Sequence, residues 1–247
     1  MTQTNLPSTP VATSKTAALS RILNCVPKGY VHYISGQCPV DKAVRLAKKF
    51  HDLYGIGCSP AQRISRKNKG LANAVLTLYR PPLREDELDT VPGACLAPVS
   101  ALVSSPDRAP YQHLAAAQVS WLLLATAGAG SVHEQESLRL VTEKPHLVFL
   151  GYELVRYQQR GQLVWTFRRT KEEMAEWYSL LASQLNQRQH GAVAKTLLRI
   201  SHQPGFHGVR QQSFALAQFA VSRGYAGELP KLFFVQKISH GEALLLV

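Results

Sequence analysis

A proline-rich, acidic stretch near the middle of the chain places the strongest constraint on how these 247 residues can fold. Six of the 14 prolines lie between Pro81 and Pro110, and the acidic residues of 85–89 fall within the same stretch. Proline fixes φ and lacks a backbone N–H, so a regular helix or strand cannot continue through such a stretch. The sequence therefore predicts two modules, residues 15–82 and 111–247, joined by a linker at 83–110.

The residues before the linker predict a short tail followed by a β-α-β-β module. Residues 1–14 are polar and lack hydrophobic periodicity, which predicts a disordered tail. The aromatic and β-branched segment 30–35 predicts a strand that ends at Gly36. Apolar residues at three- and four-residue spacing in 41–54 predict an amphipathic helix. Residues 60–79 predict a hairpin closed at Gly70, since glycine adopts the left-handed conformation that such a loop requires.

The residues after the linker predict a ferredoxin-like module. The apolar segment QVSWLLLAT predicts a strand, and Ser131 with Glu134 has the spacing of a capping box at a helix start. LVFLGYELVRY and LVWTFRR predict a hairpin, and Thr170 with Glu173 predicts the start of a second helix. Two helices at 190–201 and 209–223 and a final strand, KLFFVQKI, complete the module. The predicted class is α+β, with two small modules, the second being β-α-β-β-α-β with an inserted helix pair.

Basic residues are unevenly distributed along the chain. The formal net charge is +12, and residues 1–84 hold 13 Lys and Arg but only Asp41 and Asp52 as acids. Such a cluster is typical of a surface that contacts a polyanion, although a solvated basic face is the alternative. We therefore predict that module 15–82 binds nucleic acid through its helix and its hairpin. The predicted contacts are Lys42, Arg45, Lys48 and Lys49 of the helix and Arg63, Arg66, Lys67 and Lys69 of the hairpin.

A second predicted patch lies around the later hairpin, where Arg168 and Arg169 neighbour aromatic residues. Aromatic side chains beside arginines can stack on unpaired bases. Trp165 and Phe167 also share one strand face with Leu163, so core packing is the favoured role for these two rings.

The helix pair that follows contains a third set of candidate contacts. Arg210, Gln211, Gln212 and Ser213 have side chains of the types that read base edges, as in the second helix of a helix-turn-helix. The intervening HQPGFHG is longer than the tight turn of that motif, which favours an ordinary helical hairpin. Of these residues, Arg210 is the predicted nucleic-acid contact.

No residue pattern in the chain indicates catalysis, a metal site or a cofactor. A Walker loop, a nucleophile elbow and an H-E-x-x-H helix are all absent from the sequence. Cys25, Cys38, Cys58 and Cys95 form no C-x-x-C pair, which predicts reduced thiols rather than a zinc site. His202 and His207 flank a Pro-Gly turn near Arg210, so general acid–base cleavage of RNA stays open as an alternative.

Three strings of the sequence resemble stretches of proteins encoded on bacterial conjugative plasmids and integrative elements. The strings are RISRKNKGLANAVLTLYR, FLGYELVR and QPGFHGVRQQ. The resemblance implies a DNA-handling role in a mobile element, such as origin recognition, replication control or transfer. It implies no catalytic residue.

The sequence thus predicts a nucleic-acid-binding accessory protein, with DNA favoured over RNA and with other proteins of a nucleoprotein complex as further partners. The longest apolar stretch is shorter than the ~20 residues of a membrane span, and the cysteine usage is typical of the cytoplasm. Two alternatives remain open. One is an RNA-binding or RNA-processing protein with paired ferredoxin-like modules, and the other is a scaffold whose basic part docks on an acidic partner.

Overall fold

The computed structural model describes residues 8–81, 118–235 and 242–245. It shows a mixed α+β protein, which confirms the predicted fold class. The chain divides into two compact units: unit 1 comprises Met1–Glu143 and Ser239–Val247, and unit 2 comprises Lys144–Ile238.

The described elements follow one another in this order. Unit 1 begins with β1 (Ser8–Ala12), α1 (Lys15–Cys25), β2 (His32–Pro39), α2 (Val40–Tyr54), α3 (Pro60–Asn68), β3 (Ala74–Tyr79), β4 (Gln118–Ala125), α4 (Ser131–Gln135) and β5 (Arg139–Leu140). Unit 2 contains β6 (Val148–Phe149), β7 (Tyr152–Gln159), β8 (Gln162–Arg169), α5 (Lys171–Asn186), α6 (His190–Ser201) and α7 (His207–Ser222). The strand β9 (Glu242–Leu245) then returns to unit 1.

Unit 1 is built on a mixed sheet of six strands in the order β5-β2-β4-β3-β1-β9. The pair β1–β3 is parallel and the other pairs are antiparallel. Helix α2 buries Ala43, Ala47 and Phe50 in a core shared with Leu76 of β3 and Leu123 of β4. These residues recur at three- and four-residue spacing on α2, so the opposite side of the helix is left to solvent.

Unit 2 combines an antiparallel sheet, in the order β6-β7-β8, with three helices. Residues 160 and 161 join β7 to β8, and both have positive φ, as a tight two-residue hairpin turn requires. The helices share a core that includes Trp177 and Leu181 of α5, Leu197 of α6 and Leu216 of α7. The hairpin, the start of α5 at Thr170 and the helices at 190–201 and near 209–223 agree with the sequence prediction.

The predicted division into modules 15–82 and 111–247 differs from the observed units. Strand β4, predicted to open the second module, pairs with β2 along its whole length and with β3 on its other side. Its residues Leu122, Leu123 and Leu124 are fully buried there, because both faces of this central strand are covered. The predicted linker 83–110 lies outside the described residues.

The ferredoxin-like layout predicted for the second module is not confirmed. That layout needs two β-α-β halves contributing to one sheet, whereas the described sheet of unit 2 is a three-stranded antiparallel meander followed by helices. The predicted last strand, KLFFVQKI, is not a strand in its described part, residues 231–235, and the final described strand of the chain is β9.

The largest local error concerns residues 60–68, predicted as a hairpin arm and observed as helix α3. Ser59 and Gln62 form a capping box there, with the Ser59 hydroxyl accepting from Gln62 N and the Gln62 side chain accepting from Ser59 N. Pro60 then occupies the first turn, where its missing N–H costs nothing. The capping signal at 59–62 was in the sequence and was overlooked.

Three smaller predictions are also wrong. Part of the predicted tail forms β1, with Val11 and Ala12 buried; residues 1–7 lie outside the described residues. Strand β2 continues through Gly36, whose missing Cβ makes room for the Trp121 ring. Helix α4 is preceded by Gly130 as its cap, and the Ser131 hydroxyl instead donates to the Leu53 carbonyl at 2.9 Å.

Candidate nucleic-acid interface

The predicted cations of α2 share the solvent side of that helix. Lys42, Arg45, Lys48 and Lys49 are all exposed, and we call this set the α2 face. Because Lys42, Arg45 and Lys49 recur at three- and four-residue spacing, they form one row along the helix. The row spans about 10 Å at 1.5 Å per residue. The structure therefore brings these four predicted residues together.

The α2 face also carries or meets carboxylates. Asp41 lies one turn from Arg45, and Asp52 lies one turn from Lys48, both exposed. Lys49 pairs with Glu136 at 3.4 Å, with the lysine side chain 53% exposed. Glu136 also accepts from the Tyr54 hydroxyl at 2.6 Å, and this contact adds to burial in raising the pKa of the phenol. Folding thus places Glu136 beside α2, whose own Asp41 and Asp52 already offset part of its positive charge.

Arg63 is a structural residue rather than a phosphate contact. Its guanidinium donates to the carbonyls of Cys58, Ile56 and Ala74 at 2.7–3.0 Å. A further N–H donates to the Tyr30 hydroxyl at 3.0 Å. The carbonyls belong to the loop before α3 and to the start of β3, so one side chain fastens three segments of unit 1. These four hydrogen bonds engage most of the N–H donors of Arg63 within unit 1, so the structure gives no support to its predicted contact with nucleic acid.

Arg66 is likewise turned toward the protein, whereas Lys67 and Lys69 are exposed. Two N–H groups of Arg66 donate to the Ala72 carbonyl at 2.8 and 3.2 Å. Lys67 lies in the last turn of α3, and Lys69 caps that helix. The predicted basic hairpin tip is therefore the end of helix α3. Of the four cations predicted for the hairpin, only Lys67 and Lys69 are exposed.

Arg169, predicted as a nucleic-acid contact, is buried in the interior of unit 2. Only 1% of the residue is exposed, and burial lowers the pKa of its guanidinium. The guanidinium donates to Ser213 Oγ at 2.8 Å, to the Val209 carbonyl at 3.1 Å and to the Gln203 side chain. Arg169 therefore joins β8 to α7 and cannot reach a ligand.

Arg168, its neighbour, is partly exposed but already paired. Its Nε lies 2.9 Å from a Glu153 carboxylate oxygen on the adjacent strand. This pairing offsets the arginine charge that a phosphate would use. Of the two arginines predicted for the second patch, Arg169 is therefore buried and Arg168 is paired with Glu153.

Arg210 is the third predicted site, and the structure leaves it near the surface at the start of α7. Its guanidinium carbon lies 3.4 Å from the centre of the Phe234 ring, and among the described residues its Nε has no hydrogen-bond partner. Of the three neighbouring residues predicted to read bases, Gln211 is exposed, whereas Gln212 and Ser213 point inward. Gln212 exchanges two hydrogen bonds with the Arg169 backbone, and Ser213 is buried.

The sequence analysis missed an acid-free segment in unit 2. Residues 177–227 contain no Asp or Glu but five Lys and Arg. The structure places this segment in α5, α6 and α7, and four of the five cations are exposed: Arg188, Lys195, Arg199 and Arg223. The absence of acids over these residues is visible in the sequence and is the signal that predicts the surface.

The observed unit boundaries also change where the net charge lies. Unit 2 holds 13 Lys and Arg against five Asp and Glu, a net charge of +8. Unit 1 holds the remaining 15 basic and 11 acidic residues, a net charge of +4, because acids after residue 84 belong to it. The predicted concentration of charge at the amino terminus is therefore a property of that stretch of sequence and not of the folded unit.

The histidines and cysteines form no metal site among the residues that the structure describes. His207 stacks on Tyr157 with ring centres 4.1 Å apart, and His202 is exposed at the end of α6. Cys25, Cys38 and Cys58 are free thiols, while Cys95 lies outside the described residues. Within the described part of the chain, no helix is both long and apolar enough to cross a membrane.

The fold and the surfaces together define an α+β protein of two units, each with an exposed cationic helical surface. Comparisons with protein-family models, with curated proteins and with solved structures give no match. The resemblance to proteins of conjugative plasmids stays a prediction.

Proposed function

We propose that this protein binds nucleic acid, DNA in the first instance, through phosphate contacts. The observation that carries the proposal is the acid-free segment 177–227, in which the exposed cations Lys195 and Arg199 share helix α6 with no carboxylate. Lysine and arginine side chains in such a setting release condensed counterions when they neutralise phosphates.

The α2 face supplies a second, weaker set of phosphate contacts. Lys42, Arg45 and Lys48 are exposed, and Lys67 and Lys69 add two cations at the end of α3. Asp41 and Asp52 reduce the field of this face, so we rank it below the acid-free segment. A role in a mobile element, suggested by the resemblance, is part of the proposal.

The test is a titration of fluorescently labelled duplex DNA, followed by anisotropy at increasing salt. The variant Lys195→Glu/Arg199→Glu reverses two exposed cations that lie one turn apart on α6. We expect weaker binding at every salt concentration and a log–log salt slope that is shallower by about 2.

The matched control is Lys15→Glu/Lys28→Glu. It makes the same change in net charge at two exposed positions of unit 1 outside both surfaces. If the two double variants lose affinity equally, only the overall charge matters and the proposed surface is wrong. If the unaltered protein binds no nucleic acid at low salt, the proposed function itself is wrong.

A further inference from the structure

The exposed side of α7 combines aromatic, cationic and amide side chains in one continuous stripe. We call this stripe the α7 face, and its residues recur at three- and four-residue spacing: the half-buried His207 and Arg210 and the exposed Gln211, Phe214, Gln218 and Val221. The whole of α7 contains no Asp or Glu. Phe214 is 55% exposed, although a phenylalanine of this kind is normally buried in a core.

Two planar pairs extend the α7 face at its amino-terminal end. The His207 ring lies parallel to the Tyr157 ring of β7, with an interplanar angle of 10°. One helical turn later, Arg210 lies over Phe234, which is 70% exposed. Since residues 207 and 210 are neighbours on the helix surface, the two pairs adjoin. The outer ring of the second pair offers a free aromatic face.

The side chains of this face are carried by a well-anchored helix. Gly208 lets the start of α7 approach β8 so closely that a Cβ would lie 2.6 Å from the Phe167 carbonyl oxygen. Gly208 N donates to Thr166 Oγ1 at 3.2 Å, and the buried Arg169 side chain donates to the Val209 carbonyl in the first turn of α7. The backbone around Phe233 packs closely against Gly205 just before the helix. The Phe214 ring therefore projects from a helix that is anchored to β8, and the segment that carries Phe234 packs against the residue just before that helix.

We infer that the α7 face binds single-stranded nucleic acid by stacking unpaired bases on Phe214 and Phe234, while Arg210 contacts the phosphates. Exposed aromatic rings next to cations match the stacking platforms of single-strand binders, because every base has a π-face and every nucleotide a negative charge. Bases in a duplex are already stacked and cannot use such rings. The inference rests on the proposed function for the identity of the partner, but it depends on different side chains.

The charge of the surface favours nucleic acid over a protein partner or a second copy of this chain. An acid-free helix within a unit of net charge +8 repels another copy of the same unit. A polyanion with flat hydrophobic bases satisfies both the cations and the rings.

The experiment compares Phe214→Ala, Phe234→Ala and their combination with the unaltered full chain. The probes are labelled oligothymidylate and a duplex of the same length, with oligouridylate as a third strand that separates DNA from RNA as the source of the bases. Base–aromatic stacking contributes about 1–3 kcal/mol per base, so each substitution should weaken single-strand binding by roughly fivefold or more. Duplex binding should change far less. The variant Phe214→Trp keeps an aromatic ring at this position, so its affinity for oligothymidylate should match that of the unaltered protein and exceed that of Phe214→Ala.

The control variant is Val148→Ala, which shortens a side chain that is 48% exposed on β6, outside the α7 face and the acid-free segment. It should leave single-strand binding unchanged, and thermal unfolding should show that every variant remains folded. If the phenylalanine variants bind oligothymidylate as tightly as the unaltered protein, the inference is wrong even where Lys195→Glu/Arg199→Glu still weakens duplex binding. If they instead change the oligomeric state measured by light scattering, the α7 face is a contact between copies and the inference is again wrong.

Discussion

The α2 face of unit 1 and the acid-free segment of unit 2 show two ways in which cations can be arranged on a helix. On α2, Asp41 and Asp52 lie at either end of the four Lys and Arg, and Glu136 at the end of α4 pairs with Lys49. In residues 177–227 the cations are fewer per turn, but no carboxylate is present. The comparison shows that many basic residues on one helix do not by themselves make a strongly positive surface, because nearby carboxylates offset part of their charge.

The same comparison separates cations that hold the fold from cations that are free for a ligand. Arg63 and Arg66 in unit 1 and Arg169 in unit 2 donate to backbone carbonyls and side chains of their own unit. Arginine suits this task because its five donors lie in a fixed fork. Lys67, Lys69 and Lys195 stay exposed.

The largest expected effect is that of Arg169→Met. The substitution removes a buried charge together with the hydrogen bonds that it donates to Gln203, Ser213 and the Val209 carbonyl, although the Ser213 hydroxyl still donates to that carbonyl. We expect a loss of about 3–5 kcal/mol in the free energy of unfolding, measured by urea denaturation. Arg168→Met is the control, and it should cost less than about 1 kcal/mol because its ion pair is partly exposed. Equal losses for the two variants would contradict the structural role of Arg169.

Gly208→Ala should have the next largest effect. The new methyl group would push α7 away from β8, since the Phe167 carbonyl and the Arg168 Cβ are both within 3.0 Å of its position. Overpacking of this kind costs about 1–3 kcal/mol, and oligothymidylate binding should weaken as the helix shifts. Gly191→Ala in α6 meets nothing within 4 Å and should be neutral or stabilising in the same denaturation series. A stable Gly208→Ala protein would show that the close approach of α7 and β8 is not needed.

Arg63→Met tests the corresponding arginine of unit 1. Its side chain is only partly buried, so we expect a smaller loss of about 1–2 kcal/mol in unfolding free energy. The salt slope of DNA binding should stay unchanged at a temperature where the variant is folded, because Arg63 contacts no phosphate. Lys67→Met should behave in the opposite way, with unchanged stability and a slope shallower by about 1. A shallower salt slope for Arg63→Met would show that Arg63 does contact phosphate.

The smallest expected effect comes from making the α2 face resemble the acid-free segment. Asp41→Asn/Asp52→Asn removes two exposed carboxylates that lie one turn from Arg45 and Lys48. At low salt the duplex affinity measured by anisotropy should rise about two- to fivefold, and the gain should disappear as added salt screens the surface. An unchanged affinity at low salt would exclude the α2 face from the interface.

Much of the local structure could be predicted from the sequence. The positions of the charged side chains on the folded protein could not. The periodicity of 41–54, the turn at Gly161 and the Thr170 cap gave α2, the β7–β8 hairpin and the start of α5. Helix α3 was predictable as well from Ser59 and Gln62, so that error was one of interpretation. The apolar periodicity of 41–54 also predicted that the cations of the α2 face lie together on the solvent side of the helix.

Long-range pairing decided the rest. The sequence by itself determined where several of the helices and turns form, among them α2, α5 and the β7–β8 turn, because capping, proline and hydrophobic period act over a few residues. Only the tertiary structure decided that β4 inserts between β2 and β3, that Glu136 reaches Lys49, and that Arg169 is buried while Arg210 is not. Those outcomes depend on contacts between residues far apart in the chain, and no local pattern encodes which carbonyl or carboxylate a given arginine or lysine will meet.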